Sequence, residues 1–457
     1  MRALLIFTNP FPLSVATLAQ IGRDLTAQGW TVDALNGFAN LAENGPMYSS
    51  RDRLYERVSQ KYSRFIRPAI NGQDLSKEMN RYQVDIPRLP ASMADLRKAR
   101  FLGSMVGLAA LSSAASYTKI ASRDDTADYG KPLLDSWVVA HKAAAAADRL
   151  RHRYERVYLF NGRHAETRPF CDILEHDSEV IRYEAGAAEN SYIHANGPFF
   201  DPYVFGRNII EHEADFEAGR SYFDGNRART KNSTAFTFIG DQTIGLLPEN
   251  LSRDGLVTMF TSSEDEIFAV RDDPSFGEFP SQFDVALEVA RQCHSLRRPM
   301  ALRLHPHLAI KSDHWRRGWD FDQLQKFDVH IIEPTQPVDS YSLLDASEAV
   351  ITCGSTIGIE AAYSGKPSLM IGQYQATVLG ACPSAMSAKD IADFLADPKP
   401  LPDYEQKALW WASYFTVSGT KIPGLRDSTD PGRANLSGRS LDPARQILRY
   451  LRAAKFW

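Results

Sequence analysis

Cysteine is scarce in this chain of 457 residues. Only Cys171, Cys293, Cys353 and Cys382 occur, far apart, with no CxxC and no Cys/His cluster at ligand spacing. That excludes a disulfide scaffold, argues against structural zinc and fits a reducing compartment. A basic excess is missing too: the formal net charge is -4 and the isoelectric point about 6.3, without the positive field that nucleic-acid binding requires. Long apolar runs are lacking as well. The longest, Phe101 to Ala115, is shorter than the ~20 residues that span a bilayer and is rich in Gly, Ser and Ala. Arg97, Lys98 and Arg100 precede it, which would suit a helix on a membrane surface; a small-residue packing helix is the preferred reading. The opening, Arg2 to Phe7, is too short for a secretory h-region. It runs at once into Asn9-Pro10-Phe11-Pro12, so a first strand and its loop are expected there, in a cytoplasmic protein.

What is present is the composition of a soluble globular chain, 44% hydrophobic and 24% charged, too long for one core. Two domains are therefore expected. After the first strand, Val15, Leu18, Ile21 and Leu25 recur at helical spacing, Gln28-Gly29 ends the helix, and Trp30 to Leu35 reads as a second parallel strand. This is a doubly wound opening, yet it has no GxGxxG, so a Rossmann-type dinucleotide site has no support. Residues from about 40 to 100 show poor periodicity and are read as an inserted helical or irregular segment lining a cleft, with a long helical region following to Arg156.

Two later strands, Val157 to Phe160 and Glu179 to Tyr183, end in Asn161-Gly162-Arg163 and Glu184-Ala185-Gly186. Carboxyl ends of parallel strands are where open α/β sheets place ligands, so Asn161, Arg163 and Glu184 are expected at one crevice. The glycine- and arginine-rich stretch Gly219 to Ser233 reads as a domain boundary. Beyond it a second α/β series begins, with strands at Leu256 to Phe260, Met300 to Leu304 and Val329 to Ile332. Ser263 and Glu266 have capping-box spacing after the first of these.

The densest signal lies in Ser340 to Gly372. A capped helix leads to the apolar run Ala349 to Thr352, a turn at Cys353-Gly354-Ser355-Thr356, a helix from Ile357 to Tyr363, and a further strand from Ser368 to Ile371. A turn of this kind offers hydroxyls and N–H groups to an anion; an ordinary crossover with a serine cap would look the same. His305-Pro306, at the end of a neighbouring strand, adds an imidazole able to donate to a phosphate oxygen, with Pro306 fixing the backbone beside it. Glu360 would accept hydrogen bonds from ribose hydroxyls, or else pair with Lys366. Glu184 is the candidate general base. Asp320-Phe321-Asp322 matches DxD but sits between tryptophans in a connector, and is read as solvated surface; no metal is expected.

In order and spacing, Phe260 to Glu266, Leu304-His305-Pro306, Asp339 to Leu344 and Gly354 to Ala361 resemble bacterial capsule and surface-polysaccharide biosynthesis glycosyltransferases of GT-B fold. Phe160 to Arg163 and Tyr183 to Gly186 resemble that family's NGR and ERG segments, with Ala185 where arginine is expected. The resemblance covers roughly residues 155–390. It implies an α/β fold of two Rossmann-like doubly wound domains facing across a cleft: 1–232 binding the acceptor, 233–430 binding a nucleotide sugar, and 431–457 a helix packing back across both. That basic tail has contact with an anionic membrane surface at the inner face of the plasma membrane as its alternative. The HP motif and the Ser/Thr pair are also similar to the CMP-sugar-using sialyl and Kdo transferases, which implies that His305, Ser355 and Thr356 engage a CMP phosphate. The implied reaction is metal-independent, inverting transfer from a nucleotide sugar, such as CMP-Kdo, to a carbohydrate or glycolipid acceptor. A non-hydrolysing UDP-sugar 2-epimerase and a non-catalytic assembly subunit are the rival readings.

Overall fold

The computed structural model describes residues 1–457 except 38–58, 80–83, 122–125, 187–189, 196, 198–200, 230–238, 273–275, 311–312, 429, 431 and 447–457. Packing divides the chain into two compact units. One comprises Met1–Tyr117, Tyr129–Phe199 and Ser418–Trp457; the other comprises Thr118–Asp128 and Phe200–Val417. Each is built on a largely parallel sheet, so the expected α/β class holds.

In the first unit, β1 (Arg2–Phe7) is an interior strand of the sheet, and Ala3 to Phe7 are wholly buried, as befits a parallel strand covered on both faces. Pro12 opens α1 (Pro12–Ala27) at a position where a missing N–H costs nothing, and Gly29, at φ +83°, turns the chain into β2 (Thr31–Asn36). Helices α2 (Val106–Thr118) and α3 (Gly130–Arg149) precede β3 (Arg156–Phe160), α4 (Arg168–Leu174) and β4 (Glu179–Ala185). With β5 (Ser191–Ala195) and the short strand Thr420–Lys421, the order is β2-β1-β3-β4-β5 and then the late strand. Helix α2 carries the apolar run, and Val106 to Ala115 are buried; it is a packing helix, not a surface one. Among the described residues no helix is long and apolar enough to cross a membrane. Of the expected insertion, Tyr62, Phe65, Ile66 and Ala69 pack into the core beside α1. The remainder of 40–100 lies partly outside the described residues.

The second unit starts earlier than residue 233. Helix α5 (Phe216–Arg227) belongs to it and packs against a later helix, Tyr404–Val417. The glycine that made this stretch look like a linker is a contact residue: a Cβ on Gly219 would lie 2.6 Å from the Leu409 carbonyl oxygen. Residues 418–430 conversely return to the first unit. In the tail, Leu425–Arg426, Asn435–Leu436 and Arg439–Ser440 form a small antiparallel sheet, so the expected helix does not begin at 431; residues 443–446 are helical, and 447–457 lie outside the described residues.

The strands of the second unit are β6 (Val257–Phe260), β7 (Met300–Arg303), β8 (His330–Ile332), β9 (Ala349–Thr352), β10 (Ser368–Ile371) and β11 (Ser384–Ala385). Their order is β8-β7-β6-β9-β10-β11, the 3-2-1-4-5-6 arrangement of Rossmann folds. Alternating side chains feed two cores. Val257, Met259, Leu302 and Ile351 meet α6 (Gln282–Ser295) on one face. Phe260, Ala301 and Val350 meet α7 (Ser340–Ala346) and α8 (Ile357–Tyr363) on the other. Phe260 is level with both Arg303 and Thr352, so three strands end together. The expected capping box is not formed, since Ser263 makes no side-chain cap to the short helix Glu264–Ile267.

Beyond β9 the turn is clamped. Gly354 sits at φ +86°, and a Cβ there would fall 1.9 Å from the Tyr374 ring. The hydroxyls of Ser262 and Tyr374 donate to the Cys353 carbonyl at 2.7 and 3.0 Å. Gly354→Ala should therefore destabilise the protein by about 2 kcal/mol or more, through strain and collision together. Urea unfolding of Gly354→Ala, Tyr374→Ala and the double variant checks this; the double variant should recover part of the loss.

Candidate functional site

Chain order reverses across the sheet between β6 and β9, and open α/β sheets bind ligands beyond the strand ends at such a switch point. Thr261 follows β6, and its hydroxyl accepts the His305 N–H at 2.8 Å. His305 is thereby held at the end of β7, and Pro306 begins the short helical turn Pro306–Ile310. Across the reversal stand Gly354, Ser355 and Thr356. The Ser355 N–H donates to the Thr352 hydroxyl at 3.1 Å, and Thr356 is the exposed residue before α8. A cavity of about 70 Å³ brings together His305, Pro306, Ser355, Thr356 and Glu360 with Arg303 and Tyr341. A cavity of this size admits a phosphate group.

Arg303 is the member that sequence reasoning missed. It is 1% exposed. Its guanidinium donates to two backbone carbonyls, Glu333 at 2.7 Å and Gln336 at 3.2 Å. Among the described residues no carboxylate forms an ion pair with it. Burial lowers its pKa to about 10, so it remains a cation at neutral pH. A signal was available: an arginine closing an otherwise apolar strand, Met-Ala-Leu-Arg, is a rare residue for a buried position. Arg229 and Arg227 in the same unit differ, being paired with Asp339 and Asp345.

Glu360 is 6% exposed and accepts a short hydrogen bond from the Tyr341 hydroxyl. The alternative pairing with Lys366 is not made; Lys366 donates to the carbonyls of Asp345 and Ser347 at 2.7 and 2.8 Å. Burial pushes the Glu360 carboxyl up to about 7, opposed by the hydroxyls of Tyr341 and Thr356 and by the charge of Arg227.

In the first unit two of the three expected residues meet. The Asn161 amide donates to Glu184 Oε2 at 2.7 Å, and Glu184 Oε1 accepts the Ala185 N–H at 3.0 Å. Glu184 lies inside β4 rather than beyond it. Asn161 and Gly162 take left-handed conformations, φ +58° and +92°. Arg163 then runs to α2, where it donates to Ser112 at 3.2 Å beside the buried Glu166, whose carboxyl burial pushes up to about 7. Asp320 caps the short helix Phe321–Gln325 by accepting the Gln323 N–H at 3.0 Å, so the DxD match is a cap.

No family model matches this chain, and no curated protein does. Solved structures resemble it weakly. KpsC from Thermosulfurimonas dismutans, a beta Kdo 2,7 transferase, is 14% identical with a TM-score of 0.35, covering 65% of this chain and 85% of that one. UDP-GlcNAc 2-epimerase from Neisseria meningitidis, bound to UDP-GlcNAc, is 13% identical with a TM-score of 0.29, covering 91% and 97%. The spinosyn rhamnosyltransferase SpnG is 14% identical with a TM-score of 0.25, covering 91% and 96%. Likeness at this level leaves the chemistry to the site itself.

The raised Glu360 carboxyl gives a stability prediction. The folded state holds its proton up to about pH 7, whereas the unfolded chain releases it near the ordinary 4.5. The folded state thus binds more protons between these values, and stability falls as pH rises through them. Glu360→Gln should remove this contribution, on the order of 2 kcal/mol. Urea unfolding at pH 5 and pH 7.5 checks it: the variant should lose less stability between the two than the parent.

Proposed function

We propose that the chain is a GT-B glycosyltransferase of surface-polysaccharide synthesis, moving a sugar from a nucleotide-sugar donor to a carbohydrate or glycolipid acceptor. The observation that carries this reading is Arg303, a buried guanidinium with no carboxylate partner among the described residues, beside His305, Ser355 and Thr356 at a switch point. A buried cation held only by carbonyl dipoles is costly, and an anionic group entering the cavity supplies its counter-ion. The phosphate of the donor is the group proposed.

In this mechanism the acceptor hydroxyl gives its proton to Glu184, held by the Asn161 amide, as its oxygen bonds to the anomeric carbon. The bond from that carbon to the phosphate oxygen breaks, and the nucleotide leaves with one more negative charge. Arg303 and His305 stabilise that charge as it develops, His305 donating to a phosphate oxygen. Ser355 and Thr356 add hydroxyl donors, Pro306 and Gly354 shape the backbone, and Glu360 accepts from a ribose hydroxyl. Since Arg303 and His305 take up the charge and Glu184 acts on an incoming hydroxyl, the reaction is metal-independent and inverting. The HP and Ser/Thr motifs favour a CMP-sugar such as CMP-Kdo. Arg163 has no part at the acceptor in this reading, because it serves the packing of α2.

The test is thermal unfolding with CMP, UDP and GDP. A ligand at 100 times its Kd stabilises by about 2.7 kcal/mol, so one nucleotide should raise Tm by several degrees. Arg303→Met should lose the response and Arg303→Lys keep part of it. No response to any nucleotide overturns the reading. In a transfer assay with the preferred donor, His305→Ala and Glu184→Ala should each lower turnover at least about 100-fold; unchanged turnover in either removes that residue from the mechanism. Conversion of UDP-GlcNAc to UDP-ManNAc without acceptor would make the chain an epimerase instead.

A further inference from the structure

The second unit holds a larger cavity, about 360 Å³, that the proposed transfer does not use. It shares Thr261 with the small cavity but opens on the other face of the sheet, among residues of the α6-side core. Its volume is at the lower end of small-molecule sites and admits a pyranose ring.

The walls say which ring. Phe283 and Trp319 meet edge to face, ring centroids 6.0 Å apart and planes at 72°. The Trp319 indole is stacked on Phe321, at 5.8 Å and 11°, which fixes its orientation. Such a pair makes an aromatic corner. A planar base stacks best in a slot between parallel rings, whereas a puckered sugar lays a patch of C–H groups on one ring and sends its hydroxyls elsewhere. Trp315, 8% exposed, is a third aromatic wall, and its indole N–H has no acceptor among the described residues.

The polar walls are mostly acidic: Asp128, Glu264, Asp265 and Asp284 against Lys119 and Arg317. Lys119 is committed to Asp265 at 3.1 Å. Carboxylates accept hydrogen bonds from hydroxyls and repel phosphates and sugar acids. The inner wall is held in place: Gln282 accepts the Ser262 N–H at 2.8 Å and donates to the Ser262 carbonyl at 3.2 Å.

We propose that this cavity is a binding subsite for a neutral sugar ring, distinct from the anion cavity at Arg303. The proposal stands without the transferase reading, because it requires neither nucleotide nor turnover. Saturation-transfer NMR on the full chain tests it, with the methyl glycosides of glucose, galactose, mannose and N-acetylglucosamine as probes and Kdo as the charged control. At least one neutral glycoside should show saturation transfer. Trp319→Ala should abolish it or weaken binding at least tenfold, and Phe283→Ala should do likewise. Arg303→Met, which disables the anion cavity, should leave it unchanged. Melting temperatures of the variants, taken alongside, establish that they fold. Absence of transfer from every neutral probe to the parent protein overturns the proposal whatever the variants do. So does transfer that survives in folded Trp319→Ala, or displacement of the neutral glycoside by Kdo at equal concentration.

Discussion

The level ending of β6, β7 and β9 is the constraint from which the candidate site follows. Parallel pairing places Phe260 opposite Arg303 on one side and Thr352 on the other. The next residues of each strand, Thr261, Leu304-His305 and Cys353-Gly354, therefore emerge side by side. A slip of one residue would turn every strand side chain to the opposite face and carry Arg303 into the α6-side core. Register is strongly specified here because both faces are buried, so the geometry of the site and the packing of the sheet have the same cause.

Within that frame, charge is handled unevenly. Most buried or half-buried arginines of the second unit have carboxylate partners, as Arg229 has Asp339 and Arg227 has Asp345. Arg303 is held by carbonyl dipoles, which orient it without neutralising it. Glu360, on the far wall of the same cavity, is pushed by burial towards its neutral form. At neutral pH the cavity therefore holds the Arg303 cation opposite a carboxyl that is only partly ionised. On the other side of Thr261 the balance is reversed, with carboxylates outnumbering cations. Two neighbouring cavities of opposite electrostatic character favour different ligands, or different parts of one.

Much of this was legible from the chain alone. Parallel strands buried on both faces read as apolar runs, and the turn residues after them stand out, so the Rossmann order's elements, His305 and the Gly354 turn were visible. Asn161 and Glu184 were expected side by side for the same reason, and their side chains do meet. Arg303 was not legible in this way, because it fell inside the expected strand Met300 to Leu304, and whether a buried arginine has a carboxylate beside it cannot be seen in one dimension. Arg163 was misplaced because two successive left-handed residues redirect the chain towards α2. Gly219 suggested a linker because glycine marks loops and close helix contacts alike. The larger cavity had no local signature at all: its walls come from 119–121 and Asp128, from 261–262 and 264–265, from 280–284, and from Leu308, Trp315 and 317–319, which only the fold assembles.

The Cys353 carbonyl, through which the turn is clamped, also bears on what the turn offers a ligand. An amide oxygen accepts well from two donors, and here the Ser262 and Tyr374 hydroxyls already fill both places. That acceptor is therefore occupied from within the fold, and a ligand arriving at the turn does not find it free.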